Sequence, residues 1–183
     1  FDRALEIEPN NTQILVNKAI ALSSLGNHKE AIFLYDRALE ANPQYFDAIY
    51  NKGLSLIGLG QYETSLSCFD KALEIDPHHA DILFGKGICL ANLGKHNLAI
   101  SYYEKSLEFS PNRPIVFYEL GRAFLETGKK SEALECFDKA ISLDSGFEEA
   151  ILQKANTLSS LDDYESAIKN CNIILEVNPA NVD

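Results

Sequence analysis

The sequence predicts an all-α fold built from consecutive helical hairpins, and three observations support this prediction. Prolines and glycines each recur every 34 residues along the 183-residue chain, and a fixed period of this length is typical of repeat proteins. Within each period, apolar residues recur three and four positions apart, which is the spacing of one face of an α-helix. No segment alternates apolar and polar residues with period two, so we expect no strands.

Two residue types define the repeat boundaries. Prolines mark the ends of the repeats, and glycines mark the middle: Pro9, Pro43, Pro77, Pro111 and Pro179, and Gly26, Gly60, Gly94 and Gly128. Ser145 occupies a proline slot, and Asp162 occupies a glycine slot. This register predicts five full repeats, at 12–45, 46–79, 80–113, 114–147 and 148–181. Residues 1–11 are predicted to form the second helix of a truncated repeat, and residues 182–183 to begin a cut repeat.

Each repeat is predicted to contain two helices. In the repeat 46–79, the first helix carries Ile49 and Leu56 on one face. The pair Leu59-Gly60 closes this helix, because glycine readily adopts the left-handed backbone of a helix C-terminus. The second helix is predicted from about Tyr62 to Ile75, and the following proline prevents its continuation.

Composition and charge exclude several classes of protein. The chain has 16 Lys and Arg against 27 Asp and Glu, a net charge of −11, and such a surface repels nucleic-acid phosphates. No apolar run approaches the roughly 20 residues of a membrane-spanning helix, so we predict neither nucleic acid nor membrane as a partner. The chain contains no Met, which favours an internal fragment of a longer protein.

No residue pattern predicts catalysis, a cofactor or a metal site. The four histidines, His28, His78, His79 and His96, are interpreted as solvated residues of turns and loops. None has a Cys, Ser or Asp at a spacing that suggests a triad or a zinc site, and the glycines follow the repeat rather than a phosphate-binding loop. We therefore predict that the chain is not an enzyme and carries no cofactor and no metal.

The cysteines Cys68, Cys89, Cys136 and Cys171 lack the CxxC spacing of zinc and redox sites. Each falls in an apolar helical context, where cysteine usually behaves as a small buried side chain. Unpaired thiols favour a reducing compartment. The sequence therefore predicts a cytoplasmic, intracellular protein.

The repeat resembles the tetratricopeptide repeat family over essentially the whole chain. The small residue of the first helix is Ala19, Gly53, Gly87, Gly121 and Ala155; the small residue opening the second helix is Ala31, Ser65, Ala99, Ala133 and Ala167; and the aromatic of the second helix is Tyr35, Phe69, Tyr103 and Phe137, with Cys171 as an exception. The resemblance implies a right-handed solenoid, an α-α superhelix, whose first helices line a concave face.

One position departs from the family. Where the family usually has a bulky apolar residue, this chain has Lys18, Lys52, Lys86 and Lys154, and only Leu120 conforms. We expect the methylene stem of each lysine to be buried while its ammonium group reaches solvent or an acid.

The concave face implied by the resemblance contains the candidate binding residues. One column of equivalent positions is Val16, Tyr50, Phe84, Tyr118 and Leu152, and the next is Ile20, Leu54, Ile88, Arg122 and Asn156. An apolar, aromatic strip on an acidic protein indicates a partner, and aromatic residues often anchor interfaces. The alternative reading is that these aromatics only pack between neighbouring first helices.

The remaining positions of this face refine the predicted partner. Asn17 and Asn51 occupy the position at which the family uses an asparagine to bind the backbone of an extended peptide. The family's basic site for the acidic tail of heat-shock chaperones is not reproduced, because the matching positions hold Val16, Ile20, Asp81 and Gly85. Acids at Asp47, Asp81 and Glu149 favour a partner with apolar side chains and basic flanks.

The sequence thus predicts a non-catalytic scaffold that binds a peptide or helix of a partner protein in an apolar, aromatic groove. Two alternatives remain open. The chain can be the specificity arm of a larger enzyme whose catalytic domain lies outside it, or a module that self-associates end to end through uncapped repeats, exposing Leu5 and Ile7 at one end and Ile174 and Val177 at the other.

Overall fold

The computed structural model describes residues 1–177, and its regular structure in that range is entirely helical. The first of two compact units, Phe1–Leu93 (unit 1), contains α1 (Asp2–Ile7), α2 (Thr12–Ser24), α3 (His28–Ala41), α4 (Phe46–Gly58), α5 (Tyr62–Ile75) and α6 (Ala80–Asn92). The second unit starts at Gly94 (unit 2) and contains α7 (His96–Phe109), α8 (Pro114–Glu126), α9 (Lys130–Leu143), α10 (Glu148–Ser159) and α11 (Tyr164–Val177).

Within each unit, consecutive helices pack as hairpins. In unit 1, α2 pairs with α3 and α4 with α5, while α3 contacts α4 and α5 contacts α6. First helices also meet directly there, since α2 contacts α4 and α4 contacts α6. In unit 2, α8 pairs with α9 and α10 with α11, and α7–α8 and α9–α10 are in contact. The all-α, helical-hairpin repeat fold predicted from the sequence is confirmed.

The helix ends follow the residues that mark the period. Gly26, Gly60, Gly94 and Gly128 all have positive φ, between 71° and 79°. Asp162, in the fifth slot, has φ 63°; Asp is among the few residues other than glycine that tolerate this backbone. Helix α9 ends at Leu143 even though Ser145 replaces the proline, so the turn between repeats does not require proline.

Small residues let the second-helix aromatic enter the space between first helices. A Cβ atom at Gly53 would lie 2.6 Å from Cε1 of Phe69, and one at Gly85 would lie 2.8 Å from Cε2 of the same ring. Phe69 is fully buried, in a cluster with Ile49 and Ile82. In unit 2, a Cβ at Gly121 would lie 2.6 Å from the ring of Phe137. The aromatic ring therefore occupies the space that a side chain at the glycine position would need.

Each paired lysine contacts an aspartate sixteen residues earlier, on the preceding second helix. The Nζ–Oδ1 distances are 2.5 Å for Lys52–Asp36, 2.5 Å for Lys86–Asp70 and 2.6 Å for Lys154–Asp138. The lysine side chains are largely buried, whereas the aspartates are about half-exposed. The expectation of a buried stem and an ammonium group that reaches an acid is confirmed for these three lysines.

The pair at Lys86 leads to a stability prediction. Asp70→Asn should lower the free energy of unfolding by about 1 kcal/mol, because it leaves a mostly buried ammonium group without this carboxylate. Lys86→Met keeps an apolar stem, as Leu120 does naturally, and should change stability by less than about 0.5 kcal/mol. Urea unfolding followed by circular dichroism measures both values. Equal losses for the two variants would show that the ion pair itself stabilises the junction.

The cysteines and the N-terminal end match the sequence predictions only in part. Cys89 and Cys136 are buried, and burial raises the pKa of both thiols, that of Cys136 to about 12 with nearby glutamates contributing. Cys171, in contrast, is exposed, so the prediction of a buried residue is wrong there. Ile7 is exposed as expected, but Leu5 is half-buried against the core of α2 and α3.

Two sequence predictions lie outside what the structure describes. One is the exposure of the Ile174 and Val177 side chains, and the other is the cut repeat at residues 182–183.

Candidate functional site

The first column of candidate residues is less exposed than the sequence suggested. Tyr50 and Phe84 in unit 1 and Tyr118 in unit 2 are half-buried, and Leu152 is exposed by 48%. Val16 is fully buried, and its prediction as a groove residue is wrong. The short valine side chain lies in the α2–α3 core, and Tyr45 packs against that core from outside. A tyrosine or phenylalanine at the same position is long enough to reach the surface.

Tyr50 lies among aromatic rings of three neighbouring elements. Its ring centroid is 6.2 Å from Phe46 in the same helix, 6.4 Å from Phe69 in α5 and 5.4 Å from His79 at the start of α6. These contacts show that Tyr50 packs between repeats. The side chain is also half-exposed, and its role in partner binding stays a prediction.

The second column of unit 1 forms an exposed apolar row. Ile20 is exposed by 37% and Leu54 by 38%, while Ile88 is half-buried. These three residues occupy equivalent positions on α2, α4 and α6. Helix α2 contacts α4, and α4 contacts α6. We call Ile20, Leu54 and Ile88, together with Asn17, Asn51, Asp47 and Asp81 on the same helices, the unit 1 face.

The two asparagines of the unit 1 face bind their own helices. The Nδ2 group of Asn51 donates a hydrogen bond of 2.8 Å to the carbonyl of Asp47, one turn earlier. Asn17 accepts a hydrogen bond of 3.1 Å at Oδ1 from the side chain of Gln13. Neither contact involves another helix, so these amides lie along the surface of the first helices.

Acids mark the other end of the unit 1 face. Asp47 and Asp81 are exposed, and each lies seven residues before the apolar residue of its helix, Leu54 or Ile88. Seven residues are almost two helical turns, so the acid and the apolar residue lie on the same side of the helix. Each of these two first helices therefore presents a carboxylate and an apolar side chain about 10 Å apart along its axis.

The candidate residues of unit 2 form a more polar arrangement. Tyr118 packs against Phe137 and Phe147, with ring centroids 6.1 Å and 5.2 Å away. The guanidinium carbon of Arg122 lies 5.8 Å from the Tyr118 ring, and the same guanidinium group donates hydrogen bonds of 3.1 and 3.2 Å to Glu119.

Burial dominates the electrostatics around Tyr118. It raises the pKa of the Tyr118 phenol, and it raises the pKa of the Glu119 carboxyl although Arg122 opposes this shift. Leu152 and Asn156 are exposed on α10. The four predicted residues of unit 2 therefore lie at least partly at the surface: Tyr118, Arg122, Leu152 and Asn156. The guanidinium group of Arg122 is paired with Glu119.

Three of the four histidines are not the solvated residues that the sequence suggested. His28 is half-buried beside Gly58, and its Nδ1 atom lies 3.2 Å from Oγ of Ser23. His79 packs between repeats, with its ring tilted against that of Phe46 at a centroid distance of 5.3 Å. His96 is also half-buried, and only His78 is exposed. His28 and His79 thus take part in packing between helices.

Residues 1–177 contain neither a metal-binding cluster nor a membrane-spanning helix. No group of three or more His, Cys, Asp or Glu side chains there is arranged to hold a metal ion. Within the same residues, no helix has the length and apolarity that crossing a bilayer requires.

These features define a class: an all-α repeat protein whose first helices present partly exposed side chains at equivalent positions. The chain belongs to the tetratricopeptide repeat family, because tetratricopeptide repeat models match residues 12–45, 45–112, 114–147 and 148–181. A search of curated proteins gave no sequence match.

Several solved structures share the fold. PilW, a widely conserved type IV pilus biogenesis factor, is 26% identical with a TM-score of 0.90, over 99% of this chain and 84% of PilW. MamA from Desulfovibrio magneticus RS-1 is 21% identical with a TM-score of 0.85, over 94% of this chain and 97% of MamA. YrrB, a tetratricopeptide repeat protein with an unusual peptide-binding site, is 24% identical with a TM-score of 0.75, over 98% of this chain and 93% of YrrB.

Proposed function

We propose that this chain is a non-catalytic scaffold that binds a peptide or helix of a partner protein on its first helices. The observation that carries the proposal is the apolar row of the unit 1 face, where Ile20 and Leu54 are exposed on adjacent helices of an otherwise acidic chain. Apolar side chains aligned in this way lose contact with water when a partner covers them, which favours binding.

The similarity to YrrB supports this proposal, because that protein has a peptide-binding site on the same fold. We propose that the exposed parts of the half-buried aromatics Tyr50, Phe84 and Tyr118 also contact a partner. Tyr50 and Tyr118 pack against the rings of His79 and Phe147, and side chains restricted in this way lose less conformational entropy on binding. In unit 2, we propose that Arg122, Leu152 and Asn156 form partner contacts of their own.

A variant of the apolar row tests the proposal. Leu54→Glu combined with Ile88→Glu should reduce capture of a partner from a cell extract about tenfold or more, since each change places a charge where an apolar contact is proposed. The matched control is Phe33→Glu on α3, where the phenylalanine is exposed by 61% outside the first helices. Partners are quantified by mass spectrometry of isotope-labelled extracts.

Two readouts distinguish a binding effect from unfolding. Circular dichroism of both variants should match that of the original chain, because the replaced residues are partly exposed. Proteins that are retained by Phe33→Glu and lost from the double variant identify the face. If the double variant captures the same proteins in the same amounts, binding does not use these helices and the proposal is wrong.

Self-association is a second candidate, and one observation favours it. Tyr164 and Ile168 on α11 are exposed and border a cleft of about 300 Å³ next to α10. Apolar clefts between helices are common sites of helix docking. Sedimentation velocity over a concentration series measures self-association directly. A monomer mass that stays constant up to high concentration would exclude this function.

A further inference from the structure

We infer that the occupant of the unit 1 face is an amphipathic α-helix of a partner protein, which lies across α2, α4 and α6 with basic side chains toward Asp47 and Asp81. The inference rests on the function proposed above. It narrows the partner from any peptide to a helical one with a positively charged flank. Three features of the face support it: the state of its amides, the spacing of its apolar row and the position of its acids.

The amides of the face offer only an incomplete ladder for an extended backbone. An extended peptide leaves its N–H and C=O groups unpaired, so a receptor must supply hydrogen-bonding partners. The side chains of Asn17 and Asn51 each use one hydrogen-bonding group within their own helices, which fixes their orientation along the helix surface. The third equivalent position is Gly85, which has no side chain and lies against Phe69. A helical ligand satisfies its own backbone and needs no such ladder.

The spacing of the apolar row also favours a helix. Packed helices lie about 8–10 Å apart, so Ile20, Leu54 and Ile88 form a row with about that interval. In a helix, residues seven positions apart lie on one face about 10.5 Å apart, which matches this interval. In an extended chain, side chains on one face recur about every 6.6 Å, and one or two such steps give about 6.6 or 13 Å. A helix crossing the row therefore meets all three apolar residues in register.

The acids of the face fit the flank of such a helix. Asp47 and Asp81 lie about 10 Å along the first helices from the apolar row. An α-helix with its side chains is about 10–12 Å wide, so one side of a helix centred on the apolar row ends about 5 Å from the carboxylates, a distance that a long basic side chain can span. Lys52 and Lys86 on the same first helices are held by Asp36 and Asp70. The unit 1 face thus presents acids to its occupant, and lysine or arginine on the occupant's flank complements them.

A selection experiment with the full chain tests the inference. The probe is a phage-displayed library of random 18-residue peptides, selected in parallel against the chain and against Leu54→Glu. We expect enriched peptides to carry apolar residues three, four and seven positions apart, with Lys or Arg on one flank. Synthetic copies should gain helical circular dichroism on binding, and Leu54→Glu should weaken them about tenfold or more.

The charge of the occupant has a separate test with the same peptides. Asp47→Asn combined with Asp81→Asn should weaken binding about fivefold at low salt. This difference should vanish in 1 M NaCl, where the Debye length is about 3 Å. The control is Asp76→Asn in the turn after α5, which should leave binding unchanged. An equal loss at both salt concentrations, or none at all, would overturn the basic flank.

The outcomes separate this inference from the function on which it rests. Peptides with alternating apolar residues or proline-rich extended sequences that still depend on Leu54 would overturn the helical occupant and leave the binding function intact. Enriched peptides that bind Leu54→Glu as tightly as the original chain, or no enrichment on the original chain beyond that on Leu54→Glu, would contradict both. Helical, basic peptides that lose affinity in Leu54→Glu and in the double aspartate variant would support the inference.

Discussion

Phe69→Ala is expected to lower the free energy of unfolding by about 4 kcal/mol, in line with other buried phenylalanine deletions. The ring is fully buried and packs with Ile49 of α4 and Ile82 of α6. It also contacts Tyr50, at a centroid distance of 6.4 Å. Because these partners belong to both neighbouring first helices, the loss of the ring leaves a cavity at the junction of two repeats, and partial collapse cannot fill it.

Urea unfolding monitored by circular dichroism at 222 nm measures this loss. The matched control is Phe33→Ala, which removes the same atoms from a side chain that is 61% exposed on α3. That change should cost less than about 0.5 kcal/mol, as is usual for surface positions. Similar losses for Phe69→Ala and Phe33→Ala would contradict the assignment of Phe69 to the core.

Gly53→Leu is expected to cost about 3 kcal/mol, the upper range for overpacking of a core. Even a Cβ atom at this position would lie 2.6 Å from the Phe69 ring, and leucine adds three more carbons. The intrinsic preference of leucine for helix recovers less than about 1 kcal/mol of this cost. Ser67→Leu, at an exposed position of α5, makes a comparable addition without a clash and should be nearly neutral.

A double-mutant cycle connects the two effects. In the variant with both Gly53→Leu and Phe69→Ala, the new leucine enters the space that the ring leaves. The double variant should therefore be more stable than the sum of the single losses by about 1 kcal/mol or more. Strict additivity would mean that Gly53 and Phe69 do not share one space. Thermal unfolding gives an independent measure of the same coupling.

The helix boundaries could be predicted from sequence because they depend on local backbone chemistry. The second helix of the repeat 46–79 was predicted from about Tyr62 to Ile75, and α5 has these limits. Asp162 was recognised as the occupant of a glycine slot, and it adopts the same left-handed backbone. A period repeated along the chain averages out local ambiguity, so each boundary is supported by its equivalents.

The depth of the candidate binding residues could not be predicted in the same way. A helical face indicates the direction of a side chain but not what covers it. Val16 is buried against the core on which Tyr45 packs, while Tyr50 meets His79 and Tyr118 meets Phe147. Each covering residue comes 29 positions after the column residue that it covers. This fixed spacing is the sequence signal that could have identified the covering residues.

The histidines show the same limit. Their neighbours in sequence are glycine, lysine and proline, which suggested solvated turns. The residues that they contact are distant in sequence, such as Phe46 for His79 and Gly58 for His28. Only the packing of consecutive repeats brings these groups together, so the composition of one turn contains no information about it.

The pairing of lysine with an aspartate of the preceding second helix has a consequence for how such chains diversify. Duplication or recombination that cuts at the start of a first helix separates the two partners, whereas a cut at the start of a second helix keeps Asp70 with Lys86. The same cut keeps Glu104 with Leu120, the junction that lacks the lysine. A duplicated segment that preserves these ion pairs therefore runs from a second helix through the next first helix, half a repeat out of phase with the repeat that the prolines mark.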